Sequence, residues 1–244
     1  LQNKQIALNE ILKTIPTVSL NADFSPELYK DRGCEAIESS LVRKSMYALH
    51  SEQTVFGNVL FIKGTTFLMN YHFIPLLTSR HPLTMKMFCT NASGVQIEFT
   101  LQHLVENHVQ LEKSGRVVDA VLVSLPVKTS KVHVHPDITR HLIQANDLQM
   151  LNGVYQAQLP SYAGRQTDML YPNLRSLIDV QMHMNEECVS DGGFRMAVNH
   201  NWSYFGSTTD GDCGGPLIIN NAYSIRKVLG IHMASREQSN GSQG

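Results

Sequence analysis

The stretch of this 244-residue chain with the clearest chemical meaning is GDCGGPL, residues 211–217. A cysteine that serves only packing needs no glycine two residues before it and no glycine pair directly after it. A cysteine that attacks a substrate needs both, because its sulfur must stand on a tight turn beside backbone N–H groups. Cys213 is therefore the candidate nucleophile.

Two physical requirements surround such a sulfur. A free thiol is only about a few per cent thiolate at neutral pH, so it needs a nearby base. Attack on a carbonyl also creates an oxyanion, and Gly211 and Cys213 are the candidate N–H donors to it. Losing one such donor typically costs about 3 kcal/mol of transition-state stabilisation. The alternative interpretation is a tight glycine turn that contains an inert cysteine.

Short apolar runs separated by Gly, Asn and Pro begin at residue 55 and predict an all-β protein. VFGNVLFIKGTTFLMNYHFI predicts two strands that turn at Lys63–Gly64, and VVDAVLVSLP predicts a strand that ends at its proline. PLIINNAYSIRKVLGIHMAS predicts a hairpin. Many short strands at this spacing favour a sandwich or barrels. VQIEFTLQ alternates cleanly and places four apolar residues on one strand face: Val95, Ile97, Phe99 and Leu101.

Composition excludes several classes of function. The net charge is −1, which gives no support to a strongly electrostatic nucleic-acid or membrane binder. No apolar run approaches the ~18 residues of a transmembrane helix, and LQNKQIALNE lacks the order of a secretory signal. The cysteines share no CxxC spacing, so we expect no metal, no cofactor and free thiols in a reducing compartment: Cys34, Cys89, Cys188 and Cys213.

GDCGGP is similar to the GDSGGP of chymotrypsin-like serine proteases, with sulfur in place of oxygen. The G-x-C-G-G pattern resembles the 3C-type cysteine proteases of picornaviruses and picorna-like viruses. Three other stretches agree, namely VFGNVLFIKGTTFLMNYHFI, VVDAVLVSLP and the G-x-H strand VLGIHMAS. The likeness covers roughly residues 55–235. It implies a fold of two antiparallel β-barrels of chymotrypsin-like type with an N-terminal helix. It also implies that the protein is a cysteine endopeptidase.

The resemblance assigns the other catalytic roles by position. His72 would be the base that takes the thiol proton, and Asp119 would fix the tautomer of its ring. Their order along the chain, followed by the cysteine, is that of the chymotrypsin-like fold. A buried carboxylate on a valine-rich strand needs such a partner. Other residues stay open for the two roles: His50, His81 and His103 for the base, and Glu106 for the acid.

The resemblance also places His232 in the pocket for the residue before the scissile bond. There it would donate a hydrogen bond to a glutamine side chain, helped by Thr208, while Met233 and Ala234 would line the same site. A neutral donor pair suits an amide better than a charged pocket does. Asp210 and Asp212 could supply a charge, but as loop residues we expect them to face solvent. A Gln-Gly or Gln-Ser bond is the predicted substrate.

Partners follow from the same likeness. The predicted substrate is a viral polyprotein, with host proteins as further substrates, and we expect cleavage in the host-cell cytoplasm. We expect the enzyme to be a monomer or weak dimer that does not insert into a membrane. HPDITRHL resembles the R-D-I segment through which many such proteases bind viral RNA, which makes RNA phosphates candidate partners of Lys128, Lys131 and Arg140. Two alternatives stay open: an RNA-binding replication module with weak or no proteolysis, and a structural β protein.

The chain divides into four predicted segments. Residues 1–54 form an N-terminal extension with a helix near residues 3–15, and residues 55–126 form the first barrel. Residues 127–149 connect the barrels, and residues 150–244 form the second. The acid and the long extension favour an insect picorna-like virus of iflavirus or dicistrovirus type. One departure is that only twelve residues follow His232, where the family normally adds a further strand.

Overall fold

A seven-stranded antiparallel sheet forms the first half of the molecule, in the order β5-β4-β1-β2-β3-β7-β6. The computed structural model describes residues 41, 44–113, 116–126, 134–162, 172–183, 187–191, 194–198, 201–209, 211–221, 224, 226–233, 236–238 and 241–243. The predicted helix near residues 3–15 lies outside them. The strands of this sheet are β1 (Met46–His50), β2 (Val55–Lys63), β3 (Thr66–Met69), β4 (Lys86–Thr90), β5 (Gln96–Thr100), β6 (His108–Lys113) and β7 (Arg116–Ser124).

A second seven-stranded antiparallel sheet has the order β14-β13-β8-β9-β12-β16-β15, and β10 and β11 form a separate hairpin. Both large sheets are curled into half-barrels, which confirms the predicted all-β class with two antiparallel barrels. The strands are β8 (Tyr155–Ser161), β9 (Asn173–His183), β10 (Glu187–Asp191), β11 (Phe194–Val198), β12 (Asn201–Phe205), β13 (Pro216–Asn220), β14 (Val228–Ile231), β15 (Arg236–Gln238) and β16 (Gly241–Gln243).

Several predicted strands appear as expected. The turn at Lys63–Gly64 joins β2 to β3, with Gly64 at a φ of 57°. The hairpin of β13 and β14 is present, and Ile97 and Phe99 of β5 both point into the core. After His232 the chain does add strands, because β15 and β16 pair with each other and β16 pairs with β12.

Two short helices replace strand ends that the sequence patterns extended too far. Helix α1 (Phe73–Arg80) follows β3 after a tight turn, and Pro75 is tolerated because it lies in the first turn of the helix. Helix α2 (Leu101–Glu106) begins at Leu101, which was predicted to continue β5. Thr100 caps this helix by a reciprocal bond with the His103 side chain, and that local cap ends the strand.

The first sheet starts at Met46, nine residues before the predicted beginning of the first barrel at residue 55. All five residues of β1 are buried, so the strand lacks the alternating pattern that marks a half-exposed strand. Its neighbours on both sides are other strands, β2 and β4. The core of this sheet contains residues such as Tyr47, Phe61 and Phe67.

The described part of the connection, residues 134–149, contacts both sheets. His135 is fully buried, donates its backbone N–H to Gly64, and accepts the Gly64 N–H in return. Ile138 bonds to Ile62 of β2, and Leu142 forms a parallel bridge with Val228 of β14. The segment ends in a one-turn helix α3 (Ala145–Leu148). It therefore ties the second sheet to the first through backbone hydrogen bonds to each of them.

His141 in this connection makes folding sensitive to acid. It is 3% exposed, and burial, together with the nearby Arg140, lowers its pKa to about 4. The unfolded chain therefore takes up a proton near pH 6.5 that the folded chain refuses until about pH 4. The contribution of neutral His141 to the free energy of unfolding is therefore complete above pH 6.5 and is lost as the pH falls from 6.5 to 4.

We predict that His141→Gln weakens this loss. Between pH 7.5 and 4.5 the parent should lose about 2 kcal/mol more unfolding free energy than the variant. Urea unfolding at the two pH values measures the difference, and the pH 7.5 values serve as the internal control for any constant cost of the substitution. An equal loss in both proteins would contradict the role of His141.

Candidate active site

A buried carboxylate pairs with a histidine at one edge of the first sheet. The Nδ1 of His72 lies 2.7 Å from Oδ2 of Asp119, and the backbone N–H of His72 donates to Oδ1 at 2.8 Å. The Asp119 side chain is 4% exposed and the His72 side chain 19%. Two hydrogen bonds from His72 fix both the carboxylate and the ring, and of the two ring nitrogens it is Nδ1 that contacts Asp119.

The local fold explains this placement. Asp119 lies on β7, which pairs with β3, and the turn after β3 carries His72 to the start of α1. Asn70 in that turn is fully buried and donates its amide to Oδ2 of Asp119 at 3.1 Å. The carboxylate thus accepts three hydrogen bonds, which offsets the cost of burying its charge. Asn70 is a site residue that the sequence analysis did not identify.

The candidate nucleophile lies on a turn built from glycines with left-handed backbone. Gly211 has a φ of 90° and Gly214 a φ of 82°. A Cβ on Gly214 would stand 1.9 Å from the carbonyl oxygen of Asn58, so no other residue fits there. Gly214 donates its N–H to the carbonyl of His232, and His232 donates to Gly215. The GDCGG and GIH motifs are therefore joined directly by backbone bonds.

Asn58 of β2 connects this turn to the first sheet. Its side-chain amide donates to the carbonyls of Gly211 at 3.0 Å, Asp212 at 3.2 Å and Cys213 at 2.9 Å. Its backbone N–H also donates to the Cys213 carbonyl at 2.9 Å, and its Oδ1 accepts from Tyr162 N–H at 2.8 Å. One fully buried side chain thus holds the turn of one sheet against the strand of the other.

The sulfur of Cys213 lies 3.2 Å from the carbonyl oxygen of Met233, close enough for the thiol to donate a hydrogen bond. The cysteine is half-buried and packs against the core of the first sheet, which includes Phe73, the residue after His72. Cys89, by contrast, is fully buried, and burial raises its thiol pKa. Of these two thiols, Cys213 is the one placed for chemistry.

His232 lies beneath the nucleophile turn and is 4% exposed. Its Nδ1 bonds to the hydroxyl of Tyr204, which is 3% exposed. Burial lowers the pKa of His232 to about 4; Asp212 opposes the shift, while Arg175 and His72 add to it. The ring is therefore neutral near pH 7. Tyr204, on β12, was not among the sequence predictions.

Met233 directly follows His232 in the chain, and Thr208 is buried at 9% exposure. Ala234 lies outside the described residues. Asp212 corrects an expectation: it does not face solvent but is fully buried and pairs with Arg175 of β9, Nε to Oδ2 at 2.9 Å. The sequence could not show this, because Arg175 and Asp212 are 37 residues apart. Asp210 lies outside the described residues.

The rival candidates occupy other places. His50 bonds to Ser51 and Thr90 within the first sheet, His81 ends α1, and His103 caps α2. Glu106 is exposed and bonds to Gln102. The structure thus brings Asp119, and not Glu106, to His72.

Of the three residues predicted to bind RNA, Lys128 and Lys131 lie outside the described residues. Arg140 is half-buried, and its Nε lies 3.4 Å from Nε2 of the buried His141. Its guanidinium therefore takes part in the packing of the connection. Among the described helices, none is long and apolar enough to span a membrane.

Two curled antiparallel sheets, with a histidine–aspartate pair on one and a glycine-flanked cysteine on the other, are those of the chymotrypsin-like fold. The chain superimposes on the active form of the Rv3671c protease from M. tuberculosis with a TM-score of 0.52. The match covers 94% of this chain and 83% of that chain at 13% sequence identity, and it supports the fold alone. No protein-family model matches the chain.

Homologues in sequence are viral. The chain is 22% identical over 253 residues to the replicase polyprotein of Drosophila C virus, a match that covers 91% of this chain. It is 24% identical over 231 residues, or 83% of this chain, to that of cricket paralysis virus. Its homologues are thus replicase polyproteins of dicistroviruses, which confirms the predicted likeness to insect picorna-like viruses. The matches span 14% and 13% of those polyproteins.

We predict that Asn58→Ala slows alkylation of Cys213 by iodoacetamide at pH 7 at least about tenfold, because the turn is no longer held beside His72 and less thiolate forms. Mass spectrometry of the labelled chain measures the rate, with buried Cys89 as the internal reference.

Asn91→Ala is the matched control, since Asn91 is another buried asparagine of the first sheet, bonded to Ser93 and Val95. Both substitutions should cost about 1–3 kcal/mol of stability, but only Asn58→Ala should slow Cys213. A folded Asn58→Ala protein that reacts at the parent rate would contradict the role of Asn58.

Proposed function

We propose that this chain is a cysteine endopeptidase of a viral polyprotein, with Cys213 as nucleophile, His72 as base and Asp119 as the acid that orients it. The observation that carries the proposal is the 2.7 Å bond between His72 and the buried carboxylate of Asp119. A carboxylate that accepts three bonds in order to hold one imidazole has a precise role in proton transfer and no evident role in packing.

The proposed reaction is that of a cysteine nucleophile served by a histidine base. The Cys213 thiol gives its proton to Nε2 of His72, and the sulfur attacks the carbonyl carbon of the scissile bond. The carbonyl oxygen becomes an oxyanion, which accepts bonds from the N–H groups of Gly211 and Cys213. When the carbon–nitrogen bond breaks, His72 returns its proton to the leaving amine. A thioester on Cys213 remains, and water hydrolyses it with His72 again as base.

Asp119 acts through His72 in this scheme. Its Oδ2 accepts the Nδ1–H, which leaves Nε2 as the unprotonated nitrogen that can receive the thiol proton. When the ring becomes an imidazolium, the buried carboxylate stabilises the positive charge. Asn70 keeps the carboxylate in place from the other side. No cofactor or metal enters any step.

A neutral pocket supports glutamine as the residue before the cleaved bond. The Nδ1 of His232 is engaged with the Tyr204 hydroxyl, so its Nε2 is the nitrogen that would donate to a side-chain carbonyl. The low pKa of the buried ring keeps it uncharged, which suits an amide. Thr208, Met233 and Ala234 complete the proposed pocket, and a small residue such as Gly or Ser would follow the cleaved bond.

The viral homologues supply the biological setting of the proposal. A protease segment within a replicase polyprotein would cut that polyprotein in the cytoplasm of the infected cell, and host proteins are further candidate substrates. RNA binding stays a prediction from the sequence, and we leave it out of the proposed function because Arg140 contacts a buried histidine. The RNA-binding module without proteolysis is the alternative that the next experiment separates.

We predict that the folded chain cleaves a fluorogenic peptide with a central Gln-Gly and that Cys213→Ala abolishes the cleavage. Asp119→Asn should lower kcat about 10⁴-fold, because the ring then adopts the wrong tautomer. Glu106→Gln, which changes the exposed rival acid in the same way, is the matched control and should cleave at the parent rate.

A second peptide with Glu in place of Gln tests the pocket. It should be cleaved at least about 100-fold less efficiently at pH 7, since a neutral donor leaves the added charge desolvated without a partner. Cleavage that survives Cys213→Ala would contradict the mechanism, and equal cleavage of both peptides would contradict the pocket. Binding of RNA without any peptide cleavage would favour the alternative.

A further inference from the structure

The residue before the nucleophile carries a fully buried negative charge. Asp212 is 0% exposed, and its Oδ2 accepts the backbone N–H of Thr209 at 2.7 Å. Arg175 approaches it from β9, with Nε 3.1 Å from Oδ1 and 2.9 Å from Oδ2. A buried carboxylate that loses its cation is strongly destabilising, so the two side chains depend on each other.

Arg175 does more than neutralise this charge. Its Nη1 donates to the carbonyl oxygen of Ser207 at 2.9 Å, and its Nη2 donates to Oγ1 of Thr209 at 3.0 Å. One guanidinium thus holds three points of the nucleophile loop, which we define as residues 207–209 and 211–213. Its stem is fixed in turn by β9, where Arg175 pairs with Leu159 of β8.

The held points enclose the proposed functional groups. Thr208 lies between Ser207 and Thr209, and Gly211, a proposed oxyanion donor, directly precedes Asp212. Asp212 N–H donates to Thr209 O, and Gly215 N–H donates to Asp212 O, so the carboxylate and the turn move together. Asn58 binds the carbonyls of this turn where the two sheets meet, whereas Arg175 binds the loop from β9, through a part-buried contact to Asp212 and exposed contacts to Ser207 and Thr209.

We propose that Arg175 is a positioning residue of the active site: its guanidinium holds the nucleophile loop from β9, so that the oxyanion donors are in place before the substrate arrives. This inference rests on the proposed function. Three donors in fixed directions are required, and lysine, with one compact charge on a flexible stem, does not supply them. A lysine at this position therefore separates the two roles of Arg175, since it keeps the positive charge but not the three directed hydrogen bonds.

The test compares Arg175→Lys and Arg175→Met with the parent on the Gln-Gly peptide. Arg175→Lys, which keeps the charge, should fold and bind substrate with a KM within about threefold of the parent, but its kcat should fall at least about 30-fold. The kcat of Arg175→Met should fall at least as far as that of Arg175→Lys. The matched control is Arg226→Met, which removes a similarly half-buried arginine of the same region, paired with Asp147 at 2.9 Å.

A pair of probes separates positioning from general damage. Iodoacetamide reads the thiolate that His72 generates, and its rate should change less than about threefold in Arg175→Lys. A Gln-ending peptide aldehyde adds to the Cys213 sulfur to form a hemithioacetal, the thiol proton passing by way of His72 to the former carbonyl oxygen, and its affinity depends on the oxyanion donors to that oxygen. That affinity should fall at least about 30-fold in Arg175→Lys and remain at the parent value in Arg226→Met.

Parent-like kcat and aldehyde affinity in a folded Arg175→Lys protein would overturn the proposal, as would an equal loss in Arg226→Met. A parent that cleaves nothing would contradict the proposed function instead. Hydrogen exchange tests the positioning role without any measurement of activity. If Arg175 holds the loop, the amides of Thr209 and Asp212 should exchange at least about tenfold faster in Arg175→Met than in the parent. An unchanged exchange rate would overturn the proposal.

Discussion

The proposed nucleophile and its proposed base belong to different sheets, and the candidate site depends on how those two sheets are held together. Asn58 provides that link. It lies on β2, yet it donates to three successive carbonyls of the nucleophile turn and accepts from Tyr162 at the end of β8. The bonds to Asp212 and from Tyr162 are fully buried, so breaking either of them leaves a polar group without water to replace its partner. The interface is therefore specific as well as tight.

The same turn excludes side chains where the sheets meet. Gly214 approaches the backbone of Asn58 so closely that a Cβ would overlap it, and Gly57 stands against the ring of Phe73 and the carbonyl of Cys213. This close approach of two backbones lets the side-chain amide of Asn58 reach the carbonyls of the turn and form hydrogen bonds with them. The glycines of GDCGG thus serve the contact between sheets as much as the exposure of the sulfur.

Electrostatics organises the rest of the site around two buried carboxylates. Asp119 orients His72 on the first sheet, and Asp212 anchors the nucleophile loop through Arg175 on the second. Burial dominates the pKa of His232 and lowers it; Asp212 raises that pKa, while Arg175 and His72 lower it further, so the ring stays neutral near pH 7. This neutral ring accounts for the proposed preference for an amide.

Much of this arrangement was predictable from the sequence. Alternation located β5, and GDCGG with GIH located the nucleophile turn and its partner strand, because local backbone geometry restricts which residues fit. Asn58 and Asn70 each interrupt an apolar run, and a polar residue in such a place signals a buried partner. Arg175 and Tyr204 gave no local signal, since their partners are 37 and 28 residues away and depend on how the strands pair. Helices α1 and α2 were missed because their caps lie inside strand-like patterns.

The most direct test of the central claim is the covalent intermediate. The chain is mixed with an activated ester of a Gln-ending peptide, quenched with acid during turnover, and mapped by mass spectrometry. The account predicts one acyl group per chain, attached to Cys213, in the parent and none in His72→Ala. An acyl group on another residue, or equal acylation of the two proteins, would contradict the proposed pairing of Cys213 with His72 and Asp119.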